Sequence, residues 1–364
     1  MPMTSGRREP PTFELQRSIV TLLRGEVPRE IHDASVVEGS LRRYECGGYL
    51  HALWERHGRR GSLPAAWAEP IARAHRKTAI DNLGALGEFR AVGEYLARQR
   101  IPFVLLKGAA YLTELYDDPG ARALTDIDIL VRPGDVQRVA RHLAASEYEG
   151  SVDSWYPESR RFEMVRATGT RCRFEFHWHL GLPHRLRVDQ EALWEGTREA
   201  QLEGIPCRLL RPKDAILYHV GHLADHYFGP TLKWIIDLRE MLSRWKPDPA
   251  ALASGAGDWR VRVALYLALR HLDKLFPGEA PGELLQRITP GPARLTMLRR
   301  IVSHAPAELM AVDAGSVRRF YLRPQLLDSP WDAALLSLRV MSRPATQLLR
   351  RLRPAAPLPW EPSS

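Results

Sequence analysis

Residues 103–131 read FVLLKGAAYLTELYDDPGARALTDIDILV, and a change of hydrophobic period inside them decides the fold. Phe103-Val104-Leu105-Leu106 is a short, continuous apolar run of the kind that forms a buried strand. Lys107-Gly108 closes it, and Ala109 to Tyr116 take up helical spacing. Asp117-Asp118-Pro119-Gly120 predicts a turn. Asp126 to Val131 then alternates polar and apolar residues as a second strand, and Pro133-Gly134 opens a helix through about Ala145. Two further strands are expected at Arg161 to Ala167 and Cys172 to His179, on either side of the turn Thr168-Gly169-Thr170.

Helical spacing flanks this core on both sides. From Thr12 to Arg100, Ile71, Ala74, Ile80, Leu83, Leu86, Phe89, Val92 and Leu96 mark one long helix, with Pro64 and Pro70 where a start or a kink belongs. After Arg211-Pro212, Ala215 to Tyr227 and Leu232 to Arg244 form a pair broken at Gly229-Pro230, and Trp259 to Phe276 forms another helix. The fold class is therefore α+β, with a small mixed sheet. Four parts are expected: an N-terminal helical region (1–100), an α/β core (101–210), a C-terminal helical subdomain (211–313) and an Arg/Pro-rich tail of amphipathic helices (314–364) whose end is disordered.

The chain has 364 residues, 45% of them hydrophobic and 26% charged, which excludes wholesale disorder. Its formal charge of +9 would suit a phosphate-rich partner. However, 46 of the 52 cations are Arg, a compositional bias that needs no ligand to explain it. Twelve Arg and six acids follow residue 280, so two thirds of the excess lies outside the core. Arg318, Arg319 and Arg323 open this basic segment, which is read as an amphipathic face with nucleic acid possible but not favoured as a partner. Cys46, Cys172 and Cys207 have no metal-ligand spacing and fit buried thiols in a reducing cytoplasm. The absence of a transmembrane segment or signal peptide makes a cytoplasmic location the expectation.

Asp126 and Asp128 lie two apart on a strand, so both carboxylates leave one face with α-carbons roughly 6.6 Å apart. Such a pair repels unless a cation sits between, and Mg²⁺ is the usual solution. The Lys107-Gly108 turn leads into a helix whose first N–H groups are an anion site, and Arg122 supplies a further cation. Glu175, between two aromatics in Arg173-Phe174-Glu175-Phe176-His177, is the expected third acid.

These motifs, with RFEFHWHL at 173–180 and HVGHLADHYFGPTLKWIIDLREML at 219–242, resemble the uncharacterised nucleotidyltransferase family of the polymerase-β-like (minimal nucleotidyltransferase) superfamily. The resemblance runs from about Phe103 to Leu242. It implies a glycine turn at Gly108, metal-binding and catalytic Asp126, Asp128 and Glu175, and phosphate contacts from Lys107 and Arg122. Where the superfamily often has Gly-Ser or Gly-Gly, Gly108 is followed by Ala109, so phosphates must rely on backbone N–H groups and the cations.

His177 and His179 are placed on the face of Glu175, and the family has a histidine at the position of His177. His219, His222 and His226 form one helical stripe beside Asp225, for which a second metal site is the alternative to packing beside the pocket. His222 and Asp237 are the candidates there for holding the nucleotide or the pocket's shape. The expected activity is transfer of an NMP from an NTP such as ATP to a hydroxyl on a small molecule, peptide or protein. Mg²⁺ (or Mn²⁺) would serve as cofactor and pyrophosphate would leave. The alternatives are a non-catalytic nucleotide- or partner-binding module and an RNA-modifying enzyme.

Overall fold

The computed structural model describes residues 13–29, 32–150, 155–156, 160–166, 172–181, 186–226, 228, 232–302 and 326–329. Four helices come first: α1 (Phe13–Leu23), α2 (Ala34–Tyr44), α3 (Gly47–Arg56) and the 34-residue α4 (Ala65–Arg98). Pro64 immediately precedes α4, as its fixed φ suits a helix entrance.

The periodicity reading of α4 is right in extent and, at Ile71, Leu86, Phe89, Val92 and Leu96, in facing; it fails at Ile80 and Leu83. Ile80 and Leu83 are 69% and 63% exposed, whereas Asn82 between them is fully buried. The segment packed there presents backbone, which needs a polar partner. Asn82 Nδ2 donates to the Pro119 and Arg122 carbonyls (2.7 Å each), and its Oδ1 accepts from Leu124 N (2.9 Å).

The core follows as β1 (Phe103–Leu106), α5 (Lys107–Glu114), β2 (Ile127–Val131), α6 (Val136–Ala144), β3 (Tyr148–Glu149), β4 (Trp155–Tyr156), β5 (Arg161–Arg166), β6 (Arg173–His177), α7 (Gln190–Glu195), β7 (Arg198–Leu202) and β8 (Ile205–Leu209). They form one mixed sheet in the order β3-β5-β6-β2-β1-β8-β7, with β4 paired to β5. β2 runs parallel to β6 and antiparallel to β1, and β1 runs parallel to β8. The β7–β8 hairpin extends the sheet beyond the strands expected from sequence. Its turn is Glu203-Gly204, both with φ above zero as a tight hairpin requires.

The C-terminal helices are α8 (Pro212–Asp225), α9 (Lys233–Trp245), α10 (Pro249–Asp258), α11 (Arg262–Leu275), α12 (Gly282–Ile288) and α13 (Pro292–Val302). One apolar cluster runs through all these parts, from Leu15 to Leu326. The helices before and after the sheet also meet directly. Tyr49 donates to Glu240 Oε1 (2.7 Å), and Arg24 Nε donates to the Leu275 carbonyl (2.9 Å).

Most of the Arg-rich segment, Arg318, Arg319 and Arg323 included, lies outside the described residues. Within the described stretch 326–329, Asp328 accepts from the backbone N–H groups of Arg262 and Val263, which caps α11. The three cysteines are buried and unpaired, as expected. Among the described residues, no helix is long and apolar enough to cross a membrane.

Candidate active site

Sheet register assembles the site. Leu106 pairs with Asp128, Asp128 with Glu175, and Glu175 with Glu163, so one row crosses β1, β2, β6 and β5. The next row on the same face carries Leu130, His177 and Arg161. Paired residues present their side chains to one face, so Asp128, Glu175, Glu163, His177 and Arg161 converge. Ile127, Ile129, Phe174 and Phe176 take the other face, where they are fully buried.

Asp128 is the hub. Its Oδ1 accepts from Lys107 Nζ (2.6 Å) and lies 2.9 Å from His177 Nε2. Its Oδ2 is buried with no hydrogen-bond partner among the described residues. Single ligand atoms of Asp128, Glu175 and His177 all lie within 4.8 Å of one another. Burial alone would lower the His177 imidazole, but Asp128 and Glu175 carry it above its ordinary value. Burial would likewise raise Glu175, yet His177, Lys107 and Arg161 pull it well below the usual carboxylate range. Arg161 Nη1 donates to it at 2.6 Å.

Asp126, placed by sequence beside Asp128, stands just ahead of β2 and lines the cavity, outside that trio. Burial, Asp128 and Glu175 together raise its carboxyl. A crowded, underneutralised carboxyl beside an orphaned buried oxygen is the environment a divalent cation satisfies. The donor set Asp128, Glu175 and His177, with Asp126 alongside, therefore fits one.

The strand-to-helix turn is built differently from the glycine turn expected at Gly108. Lys107 itself takes the left-handed conformation (φ 44°), which costs an L-residue roughly 1–2 kcal/mol. Glycine would adopt that φ freely, but only lysine also places an ammonium on Asp128. The need for glycine at 108 is steric, because a Cβ there would stand 2.6 Å from Arg122 Nη1 and 2.8 Å from Leu124 Cδ2.

Arg122 was expected at the phosphates. The structure commits it to Asp237, with Nε to Oδ1 and Nη2 to Oδ2 both at 2.9 Å, and Tyr116 Oη also donates to Oδ1 (2.7 Å). Asp237 is fully buried and does not line the cavity; it meets the cavity wall through Arg122, which does.

The cavity over this face has a volume of about 520 Å³, in the range of small-molecule sites. Its far wall comes from α8 and α9. His219 lines it but is engaged on both nitrogens, by the Trp234 carbonyl (Nε2, 2.7 Å) and the Tyr111 hydroxyl (Nδ1, 3.1 Å). His222 and His226 lie against Trp234, with ring centroids 4.8 and 4.9 Å from it. Burial, with Lys107 and the neighbouring histidines, drives the His222 imidazole well below its ordinary value. Among the described residues the stripe assembles no metal cluster; the His222 and His226 rings pack on Trp234 and the His219 ring on Tyr111. His179 lies past the end of β6, where its Nδ1 donates to the Leu180 carbonyl (2.9 Å) and not into the cavity.

Sequence reading missed several lining groups. Glu163 and Arg161 were legible in the alternation of Arg161-Phe162-Glu163-Met164, once β5 is paired to β6. Lys233 opens α9 at the cavity wall, nearly buried, with its ammonium donating to Glu45 (3.1 Å). Burial and the nearby Arg122 lower it. No local motif flagged Lys233, because its position depends on how α9 docks.

Carboxylates on a mixed-sheet face share the cavity with Lys107, Arg161, Arg173 and Lys233. The chain belongs to the family described as "Uncharacterised nucleotidyltransferase", whose family model matches residues 41–277. No curated protein matches. Among solved structures the chain is similar to an antigenic nucleotidyltransferase-like protein from Paracoccidioides brasiliensis. That likeness is 15% in sequence identity with a TM-score of 0.31, covering 61% of this chain and 93% of the other.

Proposed function

We propose that the protein is a metal-dependent nucleotidyltransferase that transfers an NMP from an NTP to an acceptor hydroxyl on a small molecule, peptide or protein, with release of pyrophosphate. The observation that carries this reading is the buried Asp128 Oδ2, without a hydrogen-bond partner among the described residues, grouped with Glu175 and His177 directly behind the cavity that Asp126, Glu175 and His177 line. Those residues would hold Mg²⁺ (or Mn²⁺), which when bound neutralises phosphate charge and orients the attacking and leaving oxygens. Lys233 and Arg173, on the cavity wall, would meet phosphate oxygens together with Lys107. Glu175, held ionised, suits a ligand better than a base. Glu163, raised by burial and by Glu175, is the better group to take the acceptor's proton.

The Lys107–Asp128 contact favours a second reading, in which the ammonium stands in for a metal and the cavity binds nucleotide without transfer. Incubation with each NTP, Mg²⁺ and candidate acceptors, followed by mass spectrometry, separates the two. Addition of one nucleoside monophosphate to an acceptor supports transfer. Nucleotide binding that is indifferent to metal, with no adduct formed, supports the second reading.

A further inference from the structure

We propose that His51, His75 and Asp118 form a second metal site, for an ion of the Zn²⁺ class, separate from the acids of the cavity. The three come from three segments: His51 from α3, His75 from α4, and Asp118 from the loop between α5 and β2. Single ligand atoms of the three lie within 4.8 Å of one another. None of them lines the cavity.

Three features mark the cluster as a built arrangement. First, both oxygens of Asp118 face one ring nitrogen, His75 Nε2, at 2.9 and 2.7 Å, although that nitrogen carries a single proton at most. Second, the His51 and His75 rings are stacked with centroids 4.1 Å apart and planes 20° apart, which brings two imidazoles to the same carboxylate. Third, the surroundings are cut to fit. A Cβ on Gly120 would overlap the His75 ring, and one on Gly48 would overlap the Gly120 carbonyl. Gly120 N also donates to Asp118 Oδ1 (2.7 Å), which orients the carboxylate.

Two imidazoles and a carboxylate are a donor set for Zn²⁺ or Co²⁺, with water completing four-coordination. A tetrahedral ion sets its donors about 3.4 Å apart, within reach of side-chain rotation from their present positions. The ion would tie the loop carrying Arg122 and Asp126 to α3 and α4. Asn82 grips the same loop two helical turns further along α4.

The test uses the full chain carrying Asp126→Asn, Asp128→Asn and Glu175→Gln, which removes the acids proposed to hold the cavity cation, and Co²⁺ as an optical probe. Co²⁺ is expected to bind this parent at one site with visible d–d absorption, and Zn²⁺ is expected to displace it. His51→Gln and Asp118→Asn should each weaken binding by about tenfold or more. Asp118→Asn keeps an acceptor for His75, so circular dichroism separates loss of metal from loss of fold. A parent that binds no Co²⁺, or variants that bind it as the parent does, would overturn the proposal and leave His75 and Asp118 as a plain hydrogen-bonded pair.

Discussion

Arg122 and Asp237, 115 residues apart, are joined by two hydrogen bonds of 2.9 Å in a place that solvent hardly reaches. This pair fastens α9, and with it the Lys233 and Trp234 wall of the cavity, to the loop that leads into β2. Removing one partner leaves the other charge buried, so Asp237→Ala should cost about 3–5 kcal/mol, measured by urea denaturation. The double variant Arg122→Met/Asp237→Leu should recover most of that loss, and a double variant no more stable than the single would contradict the account.

The same carboxyl sets a pH dependence. Burial acts to raise Asp237, but Arg122, His219 and Tyr116 outweigh it and hold its pKa below the ordinary 3.8. The unfolded chain then takes up this proton before the folded one does. The contribution is complete above about pH 4 and fades as pH falls through the folded value. The stability gap between wild type and Asp237→Asn should stay level near neutrality and shrink below about pH 4. A gap that widens in acid would refute the assignment.

Asn82 satisfies two carbonyls and one N–H of the 117–124 loop. Asn82→Ala leaves them unpaired at about 1–3 kcal/mol for each group that water cannot reach. Metal affinity at the cavity should fall with stability, because the loop ends at Asp126. Mn²⁺ titration followed by electron paramagnetic resonance reads the first effect, and thermal unfolding the second.

At Gly108 the added methyl of Gly108→Ala meets Arg122 and Leu124 at 2.6 and 2.8 Å. The cost should be about 1–3 kcal/mol, with most of it lost in an Arg122→Ala/Leu124→Ala background where both obstructions are gone. Equal costs in both backgrounds would place the glycine requirement in the backbone instead.

Much of this was legible in the sequence because it is local. The change of period at Ile101, the alternation of Asp126 to Val131 and the acid in Phe174-Glu175-Phe176 are set by nearest neighbours in the chain, and the structure returns those strands. The β7–β8 hairpin escaped because Glu203-Gly204 lacks the Asn-Gly or Asp-Gly signature of its turn type. The exposure of Ile80 and Leu83 on α4 escaped because a buried Asn82 looks like a surface residue until the loop it serves is in place. The ion pair of Arg122 with Asp237 escaped because that partner lies in a helix beyond the sheet. Long-range ion pairs and docked walls such as Lys233 depend on tertiary packing, which no window of sequence contains.

Asp126 and Asp128, with Glu175 and His177, are proposed to hold a divalent cation that brings an NTP into the cavity. Isothermal titration of NTPs into the folded protein, with Mg²⁺ and with chelator, tests it most directly beside the Asp126→Ala/Asp128→Ala variant. The account predicts saturable, Mg²⁺-dependent binding by wild type that the variant loses. No binding by wild type, or binding that the double substitution leaves unchanged, would contradict it.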